Sequence, residues 1–463
     1  MAQDMRLTPV LDHLDANLDA SLDRLFQLLR IRSISTDPQF KDECRKGAEW
    51  LVEDLKSIGF EASARETPGH PMVVAHHEGP TGAPHVLFYG HYDVQPVDPV
   101  ELWQDDPFDA KVAERDGHKV ITGRGSADDK GQLMTFVETC RAWKAVHGTL
   151  PCKVTILFEG EEESGSPSLK PFLHAHAEEL KADFALVCDT DMWDRETPSI
   201  CTSLRGLVGE EVVIKAANRD LHSGMYGGPA ANPIRVLAKI LAEMHDENGR
   251  VTLPGFYDGV EDTPPEVLAS WETLGTTAET FLGPVGLSVP AGEKGRSVLE
   301  MIWARPTAEF NGISGGYTGK GFKTVIAAEA TAKVSFRLVH GQDPVKIRAA
   351  FREFVSSRLP ADCTVEFHPH GGSPAIRLSY DSPFLAAAQK ALSDEWPKPA
   401  VMTGGGGSIP VVGDFQTILG MESLLVGFGL ADDRIHSPNE KYDLASFAKG
   451  QRSWARILAA LAG

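Results

Sequence analysis

The chain has 463 residues, 42% hydrophobic and 24% charged, the make-up of a globular protein long enough for two or more domains. Its 45 basic and 65 acidic residues leave a net charge of −20, which argues against nucleic acid or an anionic membrane as the main partner. Cys44, Cys140, Cys152, Cys188, Cys201 and Cys363 are scattered with no C-x-x-C, arguing against zinc held by thiolate pairs and against a disulfide framework. No signal peptide is visible at the start, and no run approaches the roughly 18 apolar residues of a membrane span. The expected location is the cytoplasm.

Leu11, Leu14, Leu18, Leu22, Leu25 and Leu29 recur at helical spacing and predict one helix over 11–30. A second helix is expected over 41–58, stopped by Gly59. Short apolar runs at 72–76 and 85–89 read as strands, and Asp116-Gly117 marks a hairpin between two extended pieces in 109–122. A helix is expected from about Asp129 to His147, then strand 153–158, helix 168–180 and strand 184–188. This alternation predicts an α/β fold, a mostly parallel sheet covered by helices. After Arg205-Gly206 the texture changes. A strand at 208–216, a helix over 233–246, a Gly- and Pro-rich excursion at 248–297 with a short helix near 264–280, strands at 323–339 and 363–369 and a helix over 344–358 predict an inserted, smaller α+β domain. The expected boundaries are 1–206 and 376–463 for the first domain and 207–375 for the insertion. The first domain resumes with helix 383–395, a glycine-rich turn at 404–407, strand 423–428 and a closing helix from 444.

Four apolar runs end in residues that bind metals. Val86–Tyr89 leads into Gly90-His91-Tyr92-Asp93, and Val154–Phe158 into Glu159-Gly160-Glu161-Glu162-Glu163. Phe184–Cys188 leads into Asp189, and Leu424–Phe428 is followed by His436. Carboxylates packed this densely repel one another unless a cation lies among them, and open α/β sheets place ligands at the carboxyl ends of their strands. Taken singly, each feature has a plainer reading: a solvated acidic turn, a turn histidine capped by an aspartate, or an N-capping Asp128 or Asp129 before a helix. Together they predict a metal site. Neighbouring Glu162 and Glu163 can divide the labour, one ligating an ion and the other taking a proton from the attacking water.

The ordered motifs Gly90–Pro96, Gly123–Gly131, Glu159–Ser166, Asp189 and His436–Lys441 resemble the dinuclear zinc peptidase family of carboxypeptidase G, acetylornithine deacetylase, succinyl-diaminopimelate desuccinylase and aminoacylase. Within it the chain looks nearest to the cytosolic nonspecific dipeptidase and carnosine dipeptidase branch. The resemblance implies two divalent ions, zinc with manganese or cobalt as alternatives. His91 and Asp189 would hold one, Glu163 and His436 the other, and Asp128 would bridge them. Asp93 would orient His91, and Glu162 would be the general base. It further implies that the insertion is a lid that also forms a homodimer. His222 would support the oxyanion in the partner's site, while Arg337 with Gly407 and Ser408 would hold the substrate's carboxylate. The implied activity is hydrolysis of dipeptides. The alternative is an N-acyl amino acid deacylase using the same ions.

Overall fold

The computed structural model describes residues 2–407 and 409–463, leaving Met1 and Ser408 aside. The chain divides into two compact units, one made of 1–202, 378–402 and 414–463, the other of 203–377 and 403–413.

The first unit is built on a sheet whose strands run in the order Glu61–Arg65, Met72–His77, Lys153–Glu159, His85–His91, Phe184–Val187, Ser423–Leu425, Ser199–Leu204. Its middle is parallel: 85–91 pairs with both 153–159 and 184–187, and 184–187 with 423–425. The outer pairings are antiparallel. The middle strands are buried along nearly their whole length, as expected for parallel strands covered on both faces. Helices Lys130–His147 and Leu444–Ala462 pack against each other. Between them and the sheet lies an aromatic knot. Phe88 stacks on Phe136 with centroids 3.8 Å apart, and Trp454 meets both edge-on at 5.5 and 5.6 Å. The Trp454 indole N–H donates to Thr135 Oγ1 at 3.0 Å, so the buried ring leaves no polar atom unpaired. This knot fixes the strand ends from which the candidate ligands project.

Most expected elements lie where periodicity put them, and the exceptions are local. The first helix is two, Ala2–Ala16 and Leu18–Leu29, separated at Asn17. The expected helix over 168–180 likewise breaks at His176. The hairpin turns at Asp116 and Gly117, both at positive φ, between strands Lys111–Arg115 and His118–Thr122.

The second unit carries an antiparallel sheet in the order Thr307–Gly315, Glu329–Leu338, Gly206–Lys215, Thr364–Ser373. Helices Pro233–Ala242 and Pro344–Ser356 cover one face, burying Val236, Leu237, Ile347 and Phe351 against Val208, Val212, Val334 and Phe336. Strand 307–315 escapes the sequence reading because its only fully buried side chain is Ala308. The helix expected at 264–280 is two short ones, Pro265–Glu272 and Ala278–Leu282.

Candidate metal centre

Strand 85–91 ends by delivering His91, wholly buried, to the carboxyl edge of the first unit's sheet. The adjacent strand 153–159 runs into the acidic turn. A one-turn helix, Glu162–Ser164, presents two of its carboxylates, and Gly165 closes it in the left-handed region at φ +88°. The turn is pinned from below by Asp93, whose Oδ1 accepts from Glu162 N at 3.3 Å and whose Oδ2 accepts from Glu163 N at 3.0 Å. Glu161 points elsewhere: buried, it accepts from the backbone N–H groups of His70 and Ser168, both at 3.2 Å. Three consecutive glutamates look alike in the sequence, but the fold uses the first to hold the turn.

The loop before helix 130–147 supplies Asp128. His91 Nε2 lies 3.0 Å from its Oδ1, and His436 Nε2 lies 2.9 Å from its Oδ2 and 3.1 Å from Glu163 Oε2. Two groups of candidate ligand atoms therefore form, each within 4.8 Å: His91, Asp128 and Asp189, and Asp128, Glu163 and His436. Asp128 belongs to both. Asp191, the neighbouring aspartate, belongs to neither of these groups. His436 is held in the left-handed region at φ +59°, with Arg434 at +58° and Asn439 at +66° in the same loop, a conformation non-glycine residues adopt chiefly where the surroundings demand it.

Four supporting residues were not singled out for these roles in the sequence. Gln95 Nε2 donates to Glu163 Oε2 at 2.7 Å. Asp129, wholly buried, accepts from His91 N at 3.0 Å; a Cβ on Gly90 would sit 2.7 Å from that same carboxylate, so only glycine fits before His91. Glu440 is also wholly buried. One of its oxygens accepts from Arg124 Nη1 at 2.7 Å and Gly125 N at 3.0 Å, the other from Ala127 N at 2.9 Å and Asp128 N at 3.2 Å. It thus grips the whole loop that carries Asp128. Lys130, wholly buried, donates to the Leu28 and Ile31 carbonyls at 3.2 and 2.7 Å, and burial lowers its pKa to about 7. Gln95, Asp129, Lys130 and Glu440 all lie inside the motifs quoted above, which was the available signal.

The electrostatics favour a cation here. Burial raises the pKa of Glu162, and the Glu163, Asp93 and Asp128 charges add to it against the pull of His91. Burial also pushes the Asp189 carboxyl well above the carboxylate range. His436 is raised to about 10, chiefly by its contacts with Asp128 and Glu163. Burial works against a charge on His91, yet Asp128 and Asp93 outweigh it. The carboxylates thus favour positive charge at both imidazoles, a demand that a divalent ion meets better. A proton on His91 Nδ1 faces the Asp93 carbonyl at 3.2 Å and its carboxylate at 3.4 Å, leaving Nε2 to ligate. A donor set of imidazoles and carboxylates suits zinc, manganese or cobalt.

The sequence pattern of peptidase family M20/M25/M40 matches residues 87–460. The chain belongs to that family. It is 29% identical over 464 residues to the Cys-Gly metallodipeptidase DUG1 of Candida albicans, covering 96% of this chain and 95% of that one. It is 26% identical over 475 residues to the human Beta-Ala-His dipeptidase, covering 98% and 93%. Among solved structures, the M20 family metallo-carboxypeptidase Sso-CP2 of Sulfolobus solfataricus superposes with a TM-score of 0.77 at 29% identity, over 96% of this chain and 99% of that one.

A ligating imidazole must lose its proton, so metal uptake by this M20 protein should release protons. Calorimetric zinc titrations of the metal-free protein near pH 7, in buffers of differing ionisation enthalpy, should show about one to two protons expelled per chain. Because the His436 pKa is raised, the stability its charge gives the metal-free fold is full below about 6.5. That contribution is lost as pH rises through about 10, while metal affinity climbs over the same range. Uptake without proton release would show that His436 and His91 carry no proton for the ion to displace at that pH.

The remaining candidates lie in the second unit. His222, exposed, uses Nδ1 to accept from Gly224 N at 3.0 Å. Its ring proton therefore sits on Nε2, where it is a free donor. Arg337 and Gly407 also belong to this unit, and Ser408 lies outside the described residues. Among the described residues, no helix is long and apolar enough to cross a membrane.

Proposed function

We propose that this M20 protein is a metal-dependent dipeptidase, with His91 and Asp189 holding one divalent ion, Glu163 and His436 a second, and Asp128 shared between them. The observation that carries the reading is the pair of ligand groups meeting at Asp128, with Glu162 beside them on the same turn and outside both. Bound there, a pair of ions lowers the pKa of the attacking water from about 15.7 toward 7. Glu162 takes the proton released as the water attacks the amide carbon, and hands it to the departing amine as the C–N bond breaks. Asp93 keeps the His91 ring in place and fixes the turn on which Glu162 stands. The relatives' names, Cys-Gly metallodipeptidase and Beta-Ala-His dipeptidase, support dipeptides as the substrate class and do not favour the deacylase alternative. Zinc is the first choice of ion, with manganese or cobalt accommodated by the same donors.

In the same reading, the first unit is the catalytic domain and the second an inserted lid and dimerisation domain, which takes in 403–413 as well as the expected 207–375. The free Nε2–H of His222 suits an oxyanion donor, and Arg337 with Gly407 and Ser408 a clamp for the substrate carboxylate. Support for a homodimer comes from the edge strand 307–315, which exposes Phe310 and Ile313, and from exposed Tyr317 and Phe322 nearby in the chain. A cytoplasmic location agrees with six cysteines that are all free and buried.

The test is an assay of the metal-loaded protein on alanyl dipeptides and on their N-acetylated counterparts. Release of free amino acids from the dipeptides, with at least about tenfold slower cleavage once the amine is capped, is the expected result. Faster cleavage of the acetylated compounds would replace the dipeptidase reading with the deacylase one.

A further inference from the structure

Asp191 stands at the same strand end as Asp189 and has no task in the metal centre. The parallel pairing of strands 184–187 and 423–425 sets Val187 opposite Leu425. The same register returns further on, where Asp191 faces Gly429 in an isolated bridge. There Gly429 N donates to the Thr190 carbonyl at 3.4 Å, and Met192 N donates to the Gly429 carbonyl at 2.8 Å. The chain therefore runs extended past Asp189, and two steps along an extended chain set side chains about 7 Å apart on one face. Asp189 gives its carboxylate to the ligand group of His91 and Asp128, whereas Asp191, one strand repeat further out, joins neither group. The loop that follows Gly429 carries His436 of the other group, so Asp191 lies at the edge of both.

The Asp191 carboxylate is seated and unpaired. A Cβ at position 429 would lie 2.4 Å from its Oδ1, so the glycine leaves room for it. Ser199 Oγ donates to the Asp191 backbone carbonyl at 2.6 Å, which fixes the main chain. Among the described residues, no hydrogen bond or ion pair reaches the carboxylate itself, and the residue is exposed. An acid held beside a metal centre that it does not ligate, with no cation of its own chain against it, is complementary to a cation brought by the substrate. A dipeptide carries one on the carbon next to the scissile carbonyl, its α-ammonium. A lysine side chain in the first position carries another.

We propose that Asp191 receives an ammonium group of the substrate's N-terminal residue, and so sets specificity without ligating metal. The inference rests on the dipeptidase reading and adds to it the group that tells a charged N-terminal residue from an uncharged one.

The experiment compares Asp191→Asn with the unmodified chain, both metal-loaded, on Ala-Ala, N-acetyl-Ala-Ala, Lys-Ala and norleucyl-alanine. Asparagine keeps the shape and loses the charge. If the α-ammonium is the partner, kcat/KM for Ala-Ala falls at least about tenfold, chiefly through KM, while N-acetyl-Ala-Ala is cut at the unmodified rate. If a side-chain ammonium is the partner, Lys-Ala alone falls by that factor. Asp191→Glu keeps the charge and should recover part of the loss in either case. Metal bound per chain, measured on the same samples, should match the unmodified chain. Equal losses on all the substrates, or an ion missing from Asp191→Asn, would overturn the proposal by making Asp191 part of the metal centre. No loss on any substrate would overturn it by making Asp191 a solvated acid, and would leave the dipeptidase reading intact. An unmodified chain that cuts no dipeptide would instead bring down that reading, and the proposal with it.

Discussion

Glu162→Gln should lower kcat by about a thousandfold while the protein keeps its full complement of metal. The glutamate sits outside both ligand groups, so removing its charge removes no candidate ligand. Its backbone N–H is anchored on Asp93, and glutamine has the same shape, so the turn should persist. What glutamine lacks is a basic oxygen. Burial and the neighbouring Glu163, Asp93 and Asp128 charges raise the Glu162 pKa, as a group that must first accept and then return a proton requires. Turnover measured with metal content on the same sample checks this. A variant within about tenfold of the parent rate would leave Glu162 without the role of base.

Glu440→Ala should cost about 3–5 kcal/mol of stability, the range for breaking a buried ion pair by deleting one partner. Arg124, 1% exposed, would lose its carboxylate, and three backbone N–H groups at Gly125, Ala127 and Asp128 would lose their acceptor. The same change loosens Asp128, so zinc affinity should fall about 10–100-fold, as when groups supporting metal ligands are removed elsewhere. Glu440→Gln keeps one oxygen and should lie between. Urea unfolding of the metal-free chain reads the first effect, and competition with a chromophoric chelator reads the second. Parent-like values for Glu440→Ala in both would show that the loop holds its shape without the carboxylate.

The strand ends carrying His91, Glu163 and Asp189 were legible because parallel strands buried on both faces are continuous apolar runs, and the polar residue that ends each run stands out. The division of labour within Glu161-Glu162-Glu163 was not. It depends on which side chain meets His70 and Ser168, and the first of these contacts spans 91 positions. Glu440 lies within a motif, yet its grip on Gly125 joins residues 315 apart, beyond any local pattern. Strand 307–315 contains two glycines and an asparagine and buries little, so neither propensity nor alternation marks it. Helix 2–16 and helix 18–29 share one leucine period, which continues through Asn17 and hides the break. Arg205 stands out in the sequence as the point where the texture changes and as part of the Leu204-Arg205-Gly206 run of the dipeptidase pattern; its contacts were not legible, because its partners are backbone carbonyls and a carbonyl has no sequence signature.

The strand Ser423–Leu425 lies between Phe184–Val187 and Ser199–Leu204, and His436, Glu440 and Trp454 all follow it in the chain. During synthesis on the ribosome, three-quarters-finished polypeptide therefore has a gap in its sheet, an unfilled aromatic knot and a half-made cage. The group of His91, Asp128 and Asp189 precedes residue 423, whereas the group completed by His436 does not, so proteins stalled or clipped before residue 423 should hold at most one ion and be easy prey for quality-control proteases.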